Sequence, residues 1–188
     1  MRGAIWRVSS GAATNFSSNS FVRGSAMTSQ FELKVLTLLR SVDLMRDIET
    51  DKLKKLAAIA IEVIFEPDQV IYRRGDTGQA VYLIEEGEVV IEMDVPGYGL
   101  MVMNTLGPGD FFGWSSLFPS ERKMAWTRSK KFTRAIAFDA AELRAACRAD
   151  HELEYGIVRR AAESTARRIQ ANRRSLIDLM KEQADKTS

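Results

Sequence analysis

Glycine divides the middle of this chain into short β-prone runs, and that division limits the fold more than any other feature. Between Ile61 and Phe138, β-branched and aromatic residues gather in Ile61–Phe65, Val70–Tyr72, Ala80–Ile84, Val89–Met93, Met101–Thr105 and Thr133–Phe138. Glycines at 75, 78, 87, 97, 99, 107, 109 and 113 punctuate them. Strands recurring every ~8–12 residues with glycine-containing turns specify an all-β sandwich or barrel. Pro96-Gly97-Tyr98-Gly99 reads as a hairpin loop between two of them. No helix-length segment alternates with the strands, which argues against a doubly wound parallel sheet.

Helical periodicity flanks this block. Residues 30–62 place Phe31, Val35, Leu38 and Leu39, then Leu44, Ile48, Leu53, Leu56, Ala57 and Ala60, at helical spacing. Thr50 is the expected N-cap of the second stretch, with Asp51 in its first turn. Ala140–Arg148 reads as a short helix. Asp150 then caps a helix reaching about Met180, ~30 residues or roughly 45 Å long. Along it Tyr155, Val158, Ala162, Thr165, Ile169, Asn172, Leu176 and Leu179 repeat at alternating steps of three and four. That is a heptad seam with one polar Asn. A helix this long outruns one small barrel, so the seam is expected to pair with a second copy as a homodimer. The alternative is a helix packed along its own barrel. The expected organisation is a tail over 1–29, a barrel domain with flanking helices over 30–149, and a dimerisation or lid helix over 150–188. The tail carries Arg2, Arg7 and Arg23 and no acid, superficially like a transit segment. It reads as disordered, or as an over-extended start with Met27 as the natural initiator.

Composition removes several function classes. The longest apolar stretch is about five residues, Ala57 to Ile61, against the ~20 that a membrane helix needs. The single cysteine, Cys147, permits no intrachain disulfide and fits a cytoplasmic location. A net charge of +2 is too balanced for a general polyelectrolyte binder. The lone histidine, His151, is expected to be solvated and rules out histidine-clustered metal sites. A cupin-type metal oxygenase, the enzymatic reading of such a barrel, usually needs at least two histidines and a carboxylate. The expectation is therefore no metal and no enzyme.

Helices, a glycine-punctuated barrel and a long heptad helix, in that order, resemble the cyclic-nucleotide-binding domain of Crp/Fnr-type regulators. Gln69-Val70-Ile71-Tyr72-Arg73-Arg74-Gly75-Asp76 is similar to the family's strand and glycine turn. Ala80 to Val89 resembles its next strand–glycine–strand unit. Leu106-Gly107-Pro108-Gly109-Asp110-Phe111-Phe112-Gly113 resembles the run leading into its phosphate-binding cassette. The resemblance covers about residues 35–180. It implies an α+β chain whose core is a double-stranded β-helix, or jelly-roll, barrel flanked by N-terminal helices and a long C-terminal helix.

The resemblance also marks a candidate ligand site: Gly113, Trp114, Ser115, Ser116 and Leu117 in the cassette, then Lys123, Met124 and Ala125. In the family a Glu follows the cassette glycine and accepts from the ribose 2′-hydroxyl, and an Arg pairs with the cyclic phosphate. Here Trp114 and Lys123 stand at those positions, and Met124 replaces a Ser or Thr. Losing the carboxylate and the guanidinium fork removes roughly 3–5 kcal/mol, or about 10²–10⁴ in affinity. Cyclic AMP or GMP bound in the usual manner is therefore disfavoured, and the ligand is a cyclic nucleotide or another small anion. Gly113 to Pro119 is similar to a subgroup of stand-alone bacterial members.

Further candidates are open at this level. Arg122 and Arg128 are compensating cations, within a basic run that includes Lys130, Lys131 and Arg134, or else solvated residues of a strand edge. Trp114 is a stacking platform or core. Met124 is read as packing. Asn172 and Arg173 align where the family caps the purine and are the candidate lid. The dimer seam is Val158, Ala162, Thr165, Ile169, Asn172, Leu176 and Leu179. The paired arginines 159/160, 167/168 and 173/174 read as a solvated face. Only eight residues follow Met180, too few for a helix-turn-helix, so no direct nucleic-acid contact and no membrane contact are expected. The leading reading is a stand-alone sensor or adaptor without a DNA-binding module. The alternatives are a cyclic-AMP regulator acting through an unidentified protein partner and a structural interaction domain with a closed pocket.

Overall fold

A computed structural model of the chain describes residues 6–7, 25–118 and 121–187. The order is β1 (Trp6–Arg7), α1 (Ser25–Ser41), a 3₁₀ turn (Asp43–Met45), α2 (Thr50–Ala58), β2 (Ala60–Phe65), β3 (Val70–Tyr72), β4 (Ala80–Glu86), β5 (Val89–Val95), β6 (Gly99–Leu106) and β7 (Phe111–Phe112). A second 3₁₀ turn (Trp114–Leu117), β8 (Trp126–Ser129), β9 (Thr133–Asp139), α3 (Ala140–Ala149) and α4 (His151–Thr187) complete it. The strands form two sheets, β1-β2-β9-β4-β7 and β3-β8-β5-β6. Except for the parallel β1–β2 pair, every named strand pair is antiparallel. This is the expected jelly roll.

Strand alternation builds two cores from one sheet. In β4, Ala80, Tyr82 and Ile84 point into the barrel and meet Val63, Phe65, Val89, Leu106, Phe112, Ala135 and Ala137. Val81 and Leu83 point the other way, into a helical layer with Leu39, Leu53, Leu56, Leu143, Leu153 and Ile157. β4 and β9 are buried on both faces, and they read as unbroken apolar runs for that reason. β8 belongs to the other sheet, where Thr127 and Ser129 face inward and Trp126 and Arg128 are only partly covered.

Two expectations shift. The tail had been drawn to residue 29, but α1 begins at Ser25. The rest of that expectation, apart from β1, lies outside the described residues. Thr50 is the first residue of α2 and not its cap; its hydroxyl accepts instead from Arg40. Asp150, by contrast, does cap α4, accepting from the Leu153 N–H at 3.1 Å. No described helix is long and apolar enough to cross a membrane.

α4 presents two different stripes. Leu153, Ile157, Ala161 and Ser164 are buried against the rest of the chain. Val158, Ala162, Thr165, Ile169 and Leu176 are exposed, with Ile169 at 63% and Leu176 at 56%. The seam read from the sequence is thus mostly a face that the described residues leave exposed. Two seam residues differ. Asn172 is half-buried and meets Asn104 of β6, because it sits four residues beyond Arg168 on the inward stripe. The Leu179 side chain lies outside the described residues.

Candidate ligand-binding site

The site is organised by one backbone position. Gly113 has φ 86°, in the left-handed region. A Cβ there would lie 2.7 Å from the Ala80 carbonyl oxygen, so glycine alone suits both the conformation and the contact. The turn it allows divides the cassette. Trp114 goes to one side, and Ser115 and Ser116 go to the other.

Trp114 is 5% exposed and stacks on Phe111, ring centroids 5.2 Å apart, inside the helical core. The indole thus lies in the core and is not among the residues that line the cavity described below. Its bulk leaves the cavity free. An indole turned away from the cavity offers a ligand there no acceptor.

Lys123 is the centre of the other side. It is 4% exposed, and its ammonium donates to the Gly113 carbonyl at 3.1 Å, Ser115 Oγ at 3.1 Å and Ser116 Oγ at 2.8 Å. Nζ also lies 4.5 Å from the centre of the Tyr72 ring, within cation–π range. The Ser116 hydroxyl in turn donates to the Ala80 carbonyl at 2.8 Å. Gly78 makes this closeness possible, since a Cβ there would come within 2.4 Å of Ser116 Oγ and 2.9 Å of Nζ. No ion pair to Lys123 occurs among the described residues. Burial pushes its ammonium down to about 8, with the nearby charge of Asp76 opposing the shift.

Beside it lies a partly open cavity of about 210 Å³, lined by Ile71, Tyr72, Asp76, Thr77, Gln79, Ala80, Tyr82 and Lys123. Tyr82 stacks on Phe112 at 4.8 Å, and Tyr72 lies 6.4 Å from the same ring. Burial raises both phenols, so they remain protonated.

The other sequence candidates separate cleanly. Arg128 lies on the outer side of β8 and pairs with Glu92, because strand alternation puts Thr127 inward in its place. Arg122 is exposed and bonds Thr77 Oγ1 at 2.5 Å. Neither compensates inside the cavity. Lys131 pairs with Glu88 and Arg134 with Glu86, so the basic run contributes one inward cation. Met124 is 71% exposed and packs no core, contrary to expectation. Leu117 packs against the helical core, and Leu117 and Ala125 do not line the cavity. The Asn172 side chain goes to β6 and Arg173 is exposed, so neither lines the cavity.

The helix residue that does approach is Arg168. It donates to the Phe111 carbonyl, and its charge acts on the Tyr72 phenol. Arg160 is buried as well, bonding the Gly156 carbonyl at 3.4 Å. The solvated reading of the paired arginines fails at these two. Their spacing by eight residues, in step with Leu153, Ile157 and Ser164, was the available signal. Tyr72 and Gln79 were also missed as lining residues. Tyr72 ends an apolar run, and nothing local distinguishes Gln79.

A jelly roll with a glycine turn, a short 3₁₀ cassette and a helix crossing its edge defines the cyclic-nucleotide-binding class of fold. Residues 62–150 match the family model described as cyclic nucleotide-binding domain. The chain is 31% identical over 112 residues to a cAMP-dependent protein kinase regulatory subunit of Dictyostelium discoideum, covering 58% of this chain and 34% of that protein. It thus spans about a third of that relative's length. A crystal structure of a cyclic nucleotide-binding domain from Methylobacillus flagellatus superposes with a TM-score of 0.68 at 20% identity, over 80% of this chain and 85% of the other. The regulatory subunit of a cAMP-independent protein kinase A from Trypanosoma cruzi, bound to guanosine, gives 0.61 at 18% identity, over 72% of this chain and 47% of the other.

Proposed function

We propose that the chain is a cytoplasmic regulatory sensor and not an enzyme: the cavity beside Lys123 holds a small ligand with an anionic group, and α4 transmits occupancy to a second copy. One observation carries this reading: a nearly inaccessible ammonium that, among the described residues, is bound by neutral acceptors and an aromatic face. A buried cation without a paired anion is costly, and a bound anion relieves that cost. The relatives support a regulatory role: one is named as a kinase regulatory subunit and another is described with guanosine bound. The organisation is a sensing body over 30–149 and a transmitting helix over 150–188. Homodimerisation through Val158, Ala162, Thr165, Ile169 and Leu176 is supported by their exposure at heptad spacing.

Cyclic AMP and GMP remain the first ligands to test, and calorimetric titration of the full chain tests them. Weak or absent heat is expected, because the cavity offers a point-charge ammonium and Trp114 supplies no acceptor for a ribose hydroxyl. Sub-micromolar binding abolished by Lys123→Ala would establish the alternative, a cyclic-nucleotide regulator acting through a partner protein. A chain that binds no small anion at all would be an interaction domain with a retired pocket.

A further inference from the structure

Two sheets present four edge strands, and here three of them are blunted. β1 and β7 lie at the rims of one sheet, β3 and β6 at the rims of the other. β1 and β7 have two residues each and β3 has three, which makes them poor templates for another strand. β6 has eight. From Gly99 to Leu106 it carries no charge and no proline, the residues that ordinarily guard an edge. Leu100 and Val102 are each more than half exposed.

The far half of β6 is covered. Its register against β5 shifts after Ile91, so Met103 has no partner there, and Asn172 of α4 meets Asn104 just beyond. α4 then leaves the barrel: beyond Asn172, every residue of α4 whose burial is described is exposed. Residues 99–103 are therefore an open edge. Among the described residues no strand lies beyond their outward row of backbone N–H and C=O groups.

An uncharged strand with apolar side chains on both faces fits this edge, and the chain itself supplies one. Antiparallel pairing with β6 of a second copy, about a two-fold axis at Met101, sets Leu100 against Val102 of the other copy. The pairing ends at Met103, where the cover by α4 begins. Glu92, opposite Val102 on β5, is neutralised by Arg128. Asp94 stands opposite Leu100. The two Asp94 would lie three strand spacings apart, ~14 Å, beyond the ~8 Å Debye length of physiological salt. Asn172 belongs to the heptad seam and also touches β6, so the open edge adjoins the exposed stripe of α4. A copy that meets that stripe has β6 beside it.

We infer that β6 is a self-docking edge, through which two copies pair antiparallel over residues 99–103 and join their sheets. The joined sheet has the three-residue β3 at both rims, so the assembly closes as a dimer and does not grow into a fibre. The inference goes beyond the anion-binding reading and makes no use of the cavity.

The test is sedimentation of the full chain over a range of micromolar concentrations. Wild type should sediment as a dimer. The double variant Leu100→Lys/Val102→Lys should weaken self-association about tenfold or more, since lysine is a natural edge guard. Both side chains are exposed, and circular dichroism melts establish that the variant is folded. Register is tested with Met101→Cys, because the native Cys147 is buried. Directly opposed residues have Cα atoms ~4.5–5.5 Å apart, within disulfide range. Mild oxidation should therefore yield a covalent dimer from Met101→Cys and none from Thr105→Cys. A wild-type monomer at every concentration would overturn the second copy as the occupant and leave the edge to a foreign strand. Association without a Met101→Cys crosslink would overturn the strand pairing. Association that ignores the two lysines but is weakened by Ile169→Glu would overturn the edge and leave the α4 contact standing. The calorimetric titrations of the cavity decide the anion site separately.

Discussion

Two sides of one short turn behave in opposite ways. Trp114 enters a dry core of aliphatic and aromatic side chains. Ser115 and Ser116, the next two residues, hold a buried ammonium on the polar side. The backbone between them is continuous, and the left-handed Gly113 lets the chain serve both. The contrast shows that the cassette's stability and its chemistry reside in different side chains. A substitution can remove one and spare the other.

The largest effect is expected on the dry side. Trp114→Ala should cost about 3–5 kcal/mol, as large-to-small changes of buried aromatics do. Chemical denaturation measures it. A cost below about 1 kcal/mol would mean that the indole packs far more loosely than its stacking on Phe111 implies.

The polar side should report itself through pH. The Lys123 ammonium is lowered in the folded chain from an ordinary value of 10.5 to about 8. Between those values the unfolded chain binds more protons than the folded one, so this group makes stability rise with pH across that window. Below about pH 8 both states are protonated, and the burial cost is present in full. The cost is on the order of 3 kcal/mol, from the shift of a few pH units. The check is the difference in unfolding free energy between wild type and Lys123→Met, from pH 7 to pH 10. The gap should move in favour of wild type as pH rises. A constant gap would show that the ammonium is not desolvated.

The smallest effect on stability should come from the exposed stripe of α4. Ile169→Glu should change the monomer's stability by less than about 0.5 kcal/mol, as surface substitutions do. It should shift sedimentation from dimer toward monomer. If both chains sediment as monomers, the exposed seam is not a contact between copies.

Much of this architecture was legible because alternation and glycine leave clear marks. Val70–Tyr72 was read to the residue, and the jelly roll follows from runs of that kind. β7 escaped because two phenylalanines buried on opposite sides carry no period. The site was harder. The cassette glycine and Lys123 were legible from the resemblance, but side-chain direction was not. Trp114 and the serines are adjacent in sequence and part only because of a backbone torsion. Arg128 was left open between a compensating cation and a strand-edge residue, and its alternation with Thr127 sends it outward to Glu92. Arg168 was read as solvated because arginine usually is, and its carbonyl partner on Phe111 lies 57 residues away.

The contact between Arg168 and the Phe111 carbonyl sits well inside α4, with 19 residues of helix beyond it, the last of them Thr187. At 1.5 Å per residue that overhang is about 28 Å. A tilt of about 10° at the contact would swing the far end by roughly 5 Å, about one helical turn. A rigid α4 would therefore enlarge, along its length beyond the contact, any movement made beside the aromatic wall of the cavity.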